Sequence, residues 1–158
     1  MTRGIGPETG SVVELGGGTG RITDAILARA VIPNRLAIFE TNRAFAGLLH
    51  RRFPAAHVLE LDATQVAETP LEDVGAVISG LPLLAIPTPV QRQIVEGAFR
   101  LMRPGGVFVQ FTYGWRPPIH RKIREGLGLS WAASPWVWAN MPPARVYWFR
   151  QTNPATAN

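Results

Sequence analysis

The segment Glu14-Leu15-Gly16-Gly17-Gly18-Thr19-Gly20 constrains this chain more than any other. It follows a short apolar run, Ser11 to Leu15, that reads as a strand. It precedes Arg21 to Arg29, which reads as a helix with Ile22, Ile26 and Leu27 on one face. Glycines at 16, 18 and 20 let the backbone turn tightly and let a ligand approach without meeting a Cβ. The helix that follows starts with unpaired N–H groups. Such a loop, at the carboxyl end of a strand, cradles a nucleotide-like ligand.

Two familiar glycine patterns fail here. A Walker loop ends in Gly-Lys-Ser/Thr, whereas Gly20 is followed by Arg21 and Ile22. The dinucleotide fingerprint needs glycine at its first, third and sixth places, and neither Gly16 nor Gly18 as a start supplies the sixth. What remains is an acidic residue two places before alternating glycines. Glu14 ends a buried strand, where a carboxylate is costly without partners. A ligand ammonium or the loop's own N–H groups would supply them. Glu40 ends the next predicted strand, about 20 residues beyond the loop, where an acidic side chain accepts from ribose hydroxyls. Asp62 ends the third strand and is placed to accept from an exocyclic adenine amine, which is a donor. Each acidic residue alone is as well read as a cap or a solvated turn. Three such features on one edge of a sheet point to an adenosine-type ligand.

The rest of the chain alternates strand and helix, which predicts a parallel sheet with crossover helices. Leu36 to Phe39, Ala56 to Leu61 and Ala76 to Ser79 read as strands. Asn42 to Phe53 reads as a helix with Phe45, Leu48, Leu49 and Phe53 as its buried stripe, ended by Pro54. A second helix starts at Thr88, as its cap, with Pro89 in the first position and Gln91 placed for a capping box. Val90, Ile94, Val95, Phe99 and Met102 form its apolar face, and Pro104-Gly105-Gly106 closes it. Val107 to Thr112 is a fifth strand. Trp136 to Trp138 and Arg145 to Arg150 read as a hairpin joined across Ala139 to Ala144, an antiparallel addition to the sheet. With 158 residues, residues 1–158 are expected to form one domain. At 46% hydrophobic and 17% charged residues, the composition is that of a globular chain rather than a disordered one. The absence of cysteine excludes disulfides and thiolate metal sites, and the three histidines, His50, His57 and His120, lack ligand spacing. No metal is expected.

Val12-Val13-Glu14-Leu15-Gly16-Gly17-Gly18-Thr19-Gly20 resembles the first motif of class I methyltransferases, and Glu40, Asp62-Ala63 and Ser79 stand where the next three motifs stand. The resemblance implies a Rossmann-like α/β fold: a mostly parallel seven-stranded sheet with an antiparallel carboxy-terminal strand and helices on both faces. It implies S-adenosylmethionine as cofactor and S-adenosylhomocysteine as product. It places Glu14, Gly16, Gly17, Gly18, Thr19, Gly20, Glu40, Thr41, Asp62, Ala63, Ser79, Gly80 and Leu81 at the cofactor. Three further segments are Ser79 to Leu84, Phe111 to Pro118 and Asn140 to Val146. Together they look like the bacterial phospholipid N-methyltransferases, which methylate phosphatidylethanolamine stepwise. The pattern is also similar to the ribosomal RNA adenine dimethylases. Members of the phospholipid family carry an amino-terminal segment, with a lid helix, before the first motif. Here ten residues precede the first strand. The expectation is that most of that segment is missing, either naturally or because the start is not Met1.

On the acceptor side, the adenine enzymes place Asn or Asp at the position of Ser79 and an aromatic at that of Pro82, to bond and stack a flipped base. Ser79-Gly80-Leu81-Pro82-Leu83-Leu84 offers neither, which counts against a nucleobase and suits an aliphatic amine beside an apolar wall. A plain strand-to-helix turn is the alternative. An alkylammonium must lose a proton before it can attack, and Tyr113 is the candidate catalytic residue: it can relay a proton or face a cation with its ring. It is equally well an ordinary strand-end aromatic. His120 is a second candidate.

Net charge is +5, and Lys122 is the only lysine among 16 basic side chains. Codon usage would account for that bias; so would an anionic partner. Arg116, His120, Arg121, Lys122 and Arg124 surround Ile119 and Ile123, which are spaced for one helical face, with Trp115, Trp131 and Trp136 near by. This segment is expected either to meet an anionic membrane surface or to be a solvated helix. No run reaches the ~20 apolar residues of a membrane span, so the expected place is cytoplasmic, at most peripheral on the inner face of the membrane. Three functions stay open. They are a phospholipid amine methyltransferase, a methyltransferase for another amine or for RNA adenine, and a cofactor-binding domain that needs a partner to complete it.

Overall fold

A computed structural model describes residues 4–113, 116–135 and 144–152. Five parallel strands form its centre: β1 (Ser11–Leu15), β2 (Leu36–Phe39), β3 (His57–Leu59), β4 (Val74–Ser79) and β5 (Met102–Thr112). β6 (Leu129–Ala133) and β7 (Arg145–Gln151) complete the sheet in the order β3-β2-β1-β4-β5-β7-β6. β7 is antiparallel to both of its neighbours. This is the expected Rossmann-like architecture, a mostly parallel seven-stranded sheet with an antiparallel carboxy-terminal strand. The strand order reverses between β1 and β4, the switch point at which open α/β sheets bind ligands beyond the strand carboxyl ends.

The central strands are apolar on both faces because both faces are covered. Val13, Phe39, Val77 and Phe108 pack with Ile94, Val95 and Ala98 of α3 (Thr88–Leu101) and with Ile123 of α4 (Arg121–Gly126). Val12, Ile38, Ile78 and Val109 pack with Ile26 of α1 (Arg21–Leu27) and with Ala46 and Leu49 of α2 (Arg43–Arg52). The Asn42 side chain caps α2, accepting from the N–H groups of Ala44 and Phe45 at 3.0 and 3.2 Å. His50, Arg51 and Arg52 in its last turn complement the helix dipole.

Several local expectations change. The strand that pairs with β7 is Leu129–Ala133, with Trp131 opposite Phe149. It is an edge strand with mostly exposed side chains, so it carries little apolar signal. Trp136 to Trp138 and residues 139–143 lie outside the described residues. Pro87, not Thr88, caps α3, and Gln91 is buried in tertiary contacts rather than closing a capping box. The buried stripe of α2 is Ala46, Leu49 and Phe53, with Phe45 exposed; on α3, Val90 is exposed. Ile119 and Ile123 are fully buried in the core, so they form no apolar face for a membrane. Among the described residues, no helix is long and apolar enough to cross a membrane and no cluster of metal-ligating side chains occurs.

Candidate functional site

The glycine loop caps the carboxyl end of β1. The N–H groups of Gly16 and Gly17 both donate to the Phe39 carbonyl, at 2.9 and 3.2 Å, which ties the loop to the end of β2. Gly18 has φ +52°, and a Cβ there would meet nothing within 4 Å. Its bare face is open. Gly20 differs. At φ +84° it starts α1, and its Cβ would strike Arg52 and Phe53 at 2.7 Å. The missing Cβ lets the end of α2 pack against the start of α1. Arg52 holds the loop from outside: its guanidinium donates to the Thr19 carbonyl and pairs with Asp24 at 2.7 Å. The sequence reading missed Arg52, because an arginine in a helix's last turn looks like a dipole partner and nothing more.

The three acidic residues behave differently. Glu14 is fully buried, with its side chain on the α1 face of the sheet. Its Oε2 accepts from the Thr23 hydroxyl at 2.7 Å, and its Oε1 has no partner. Burial pushes its pKa up to about 8. The Thr23 hydrogen bonds oppose the shift, and the nearby Asp24 and Glu40 charges add to it. Glu40 is buried at the end of β2. Its two oxygens accept from the N–H groups of Gly18 and Asn42, at 2.8 and 2.7 Å. One carboxylate therefore couples the loop to the start of α2. Asp62 follows β3. Its Oδ1 accepts from the N–H and hydroxyl of Thr64 at 2.8 and 2.6 Å, and these bonds hold its carboxyl below the usual range. That is the capping role weighed from the sequence, and it leaves Oδ2 for a ligand.

Two cavities flank the loop. One, of about 390 Å³, has Gly16, Glu40, Thr41, Asp62, Ala63 and Ile86 among its walls. The other, of about 510 Å³, lies against Gly17, Thr19, Gly80 to Ala85, and Phe111 to Tyr113. Leu81 lines both. The structure thus brings most of the expected residues together, split between a carboxylate-bearing side and an apolar side. Glu14, Gly18, Gly20 and Ser79 line neither cavity. Ser79 is fully buried, and its hydroxyl accepts from the Leu81 N–H at 3.3 Å. It shapes the turn that presents Leu81.

The apolar cavity contains an aromatic pair. Phe111 and Tyr113 meet edge to face, with centroids 4.9 Å apart, and Tyr113 is 54% exposed. The turn from Ser79 to Leu84 offers no aromatic, yet the end of β5 supplies Phe111 and the residue after it is Tyr113. Two buried glutamines were also missed. Gln110 Nε2 donates to the Leu81 and Phe111 carbonyls, each at 2.7 Å. Gln91 Nε2 donates to the carbonyls of Leu83 at 2.7 Å and Pro118 at 3.2 Å, while its Oε1 accepts from the His120 N–H at 2.6 Å. Together they fix the cavity wall. The glutamine inside the apolar run Val107 to Thr112 was the one available signal for Gln110.

The arrangement fits an adenosyl sulfonium ligand. Ribose hydroxyls and an exocyclic amine need acceptors, which Glu40 and Asp62 offer beside the smaller cavity. The open face of Gly18 leaves room for the ligand at the loop, and a sulfonium directed toward the larger cavity meets apolar and aromatic groups.

No family model matches the chain. An ornithine lipid N-methyltransferase of Singulisphaera acidiphila is 30% identical over 148 residues, which is 88% of this chain and 74% of that protein. Among solved structures, the N-methyltransferase NodS of Bradyrhizobium japonicum superposes with a TM-score of 0.69 at 13% identity, over 94% of this chain and 91% of that one. A TehB-like SAM-dependent methyltransferase of Corynebacterium glutamicum gives a TM-score of 0.69 at 16% identity, over 91% and 81% of the two chains. At the identity and coverage of the lipid enzyme, the chain belongs to that enzyme's family within the class I S-adenosylmethionine-dependent methyltransferases.

Proposed function

We propose that this methyltransferase acts on nitrogen, at the headgroup amine of an amino lipid. The acceptor class covers phosphatidylethanolamine with its methylated intermediates, and ornithine lipid, the substrate in the relative's name. The observation that carries the reading is the larger cavity, apolar along Leu81 to Ala85 and aromatic at Phe111 and Tyr113.

In this reading Glu40 and Thr41 hold the ribose, Asp62 and Ala63 hold the adenine, and Gly16 to Gly20 hold the methionine end. Gly80 and Leu81 form the partition between cofactor and acceptor. When bound, S-adenosylmethionine supplies an electrophilic methyl on its sulfonium. The chain's work is to align the amine, which is an effect of proximity and orientation. Leu81 to Ala85 exclude water from one side of the amine. Tyr113 faces the ammonium with its ring and passes its proton to the water at the cavity mouth.

The test is incubation of the protein with labelled S-adenosylmethionine and vesicles of phosphatidylethanolamine or ornithine lipid, with RNA as a third acceptor. Label in mono- and dimethyl lipid is expected. Label in RNA alone would replace the lipid by a base stacked on Phe111 and Tyr113. Cofactor binding with no transfer to any acceptor would leave a binding domain that is incomplete alone.

A further inference from the structure

A third cavity, of about 460 Å³, adjoins the acceptor side, and Arg116, His120, Arg121 and Arg124 stand on its walls with no Asp or Glu among its lining residues. Leu84, which is 57% exposed, lines both this cavity and the larger apolar one. Gln91 ties the two together, since the same carboxamide bonds the Leu83 carbonyl on one side and Pro118 and His120 on the other. Arg121 pairs only loosely with Glu125, at 3.6 Å and in solvent, a contact of little strength. Among the described residues, no carboxylate pairs Arg116 or Arg124. Arg124 is held in place by its Nε, which donates to the Ile119 carbonyl at 3.0 Å, and by the Trp131 ring. Guanidinium groups gathered without acids are arranged for an oxyanion, which they bind through charge-assisted hydrogen bonds.

We propose that this basic cavity holds the oxyanion of the acceptor's own headgroup, a phosphate or a carboxylate, while the amine enters the apolar cavity beyond Leu84. This rests on the reading of the apolar cavity as the amine site. The acceptors proposed above share that chemistry: an amine joined by a short alkyl chain to an acidic group. The cavity selects a zwitterionic headgroup over a simple amine. It also gives the basic segment a defined ligand in place of the apolar membrane face that the burial of Ile119 and Ile123 rules out.

The test uses the double variant Arg116→Gln/Arg121→Gln, which leaves the anchored Arg124 in place. Binding is measured by tryptophan fluorescence with saturating S-adenosylhomocysteine, so that no turnover is needed. The probes are lysophosphatidylethanolamine and hexadecylamine, each in neutral detergent micelles, and cofactor affinity serves as the folding control. The expected result is a loss of at least about tenfold for the zwitterionic lipid, the size of one or more charge-assisted hydrogen bonds, with hexadecylamine unchanged. Equal loss on both probes, no loss, or no binding of the zwitterion by the wild-type chain would overturn the proposal. So would a loss that appears only when phosphatidylglycerol is added, because the arginines would then serve a neighbouring lipid. Arginine-dependent binding without methylation of the bound lipid would uphold this subsite and refute the proposed reaction.

Discussion

The Thr23 hydroxyl donates to Glu14 Oε2 at 2.7 Å inside the core, while Glu14 Oε1 has no partner at all. The hydrogen bonds from Thr23 do not offset the loss of solvation, so the carboxyl's pKa rises from 4.5 to about 8. Between those two values the folded chain holds a proton that the unfolded chain releases. Stability therefore falls as pH rises through that window and levels off above it, by at most about 1.4 kcal/mol per pH unit from this group. Urea unfolding from pH 5 to 9 should show that slope in the wild type and not in Glu14→Gln. Equal slopes in both proteins would show that Glu14 ionises normally.

Gly18→Val places a side chain on the open face of the loop, at φ +52°. The left-handed backbone costs a β-branched residue about 1–2 kcal/mol, which lowers the melting temperature but keeps a cooperative transition. Calorimetry should find S-adenosylmethionine binding lost. Retained affinity would refute the assignment of this loop to the cofactor.

Glu40→Gln keeps the shape but sets an amide N–H₂ against one of two backbone N–H donors, those of Gly18 and Asn42. A buried donor left without an acceptor costs about 1–3 kcal/mol. Both thermal stability and cofactor affinity should fall in this variant. A change in neither would mean that Glu40 does not brace the loop.

Gln91→Met removes three hydrogen bonds while nearly conserving volume. The cost is about 2–4 kcal/mol, since the Leu83 and Pro118 carbonyls and the His120 N–H lose their partner. In the protein that remains folded, cofactor affinity should persist while KM for the lipid rises. A uniform loss of both would make Gln91 a general core residue rather than a brace of the acceptor wall.

Tyr113→Phe keeps the ring and removes the hydroxyl. If the hydroxyl relays the ammonium proton, kcat should drop by about 10²-fold, near the lower end for such groups because water also reaches the cavity mouth. Cofactor binding should not change. A wild-type rate in Tyr113→Phe together with a raised KM in Tyr113→Ala would assign Tyr113 to cation contact alone.

What the sequence by itself determined is what neighbouring residues encode. A strand, glycines that reach left-handed backbone, and a helix lie contiguously from Ser11 to Leu27, so the loop was legible, as was the place of Glu40 just after β2 and of Asp62 in the turn that follows β3. Strand and helix alternation was enough to predict the sheet. Tertiary structure alone decided which face each side chain meets. The spacing of Ile119 and Ile123 is the same whether they point at lipid or at the core, and only the packing of α4 and the residues just before it into the core buries them. Gln91 has the spacing of a capping-box residue, yet its carboxamide is claimed by Pro118, 27 residues away. Phe111 and Tyr113 join the turn after β4 because β5 lies beside it in the sheet. Backbone preference is set within a few residues. Burial and the pairing of polar groups are set by whatever the fold brings alongside, which local spacing does not record.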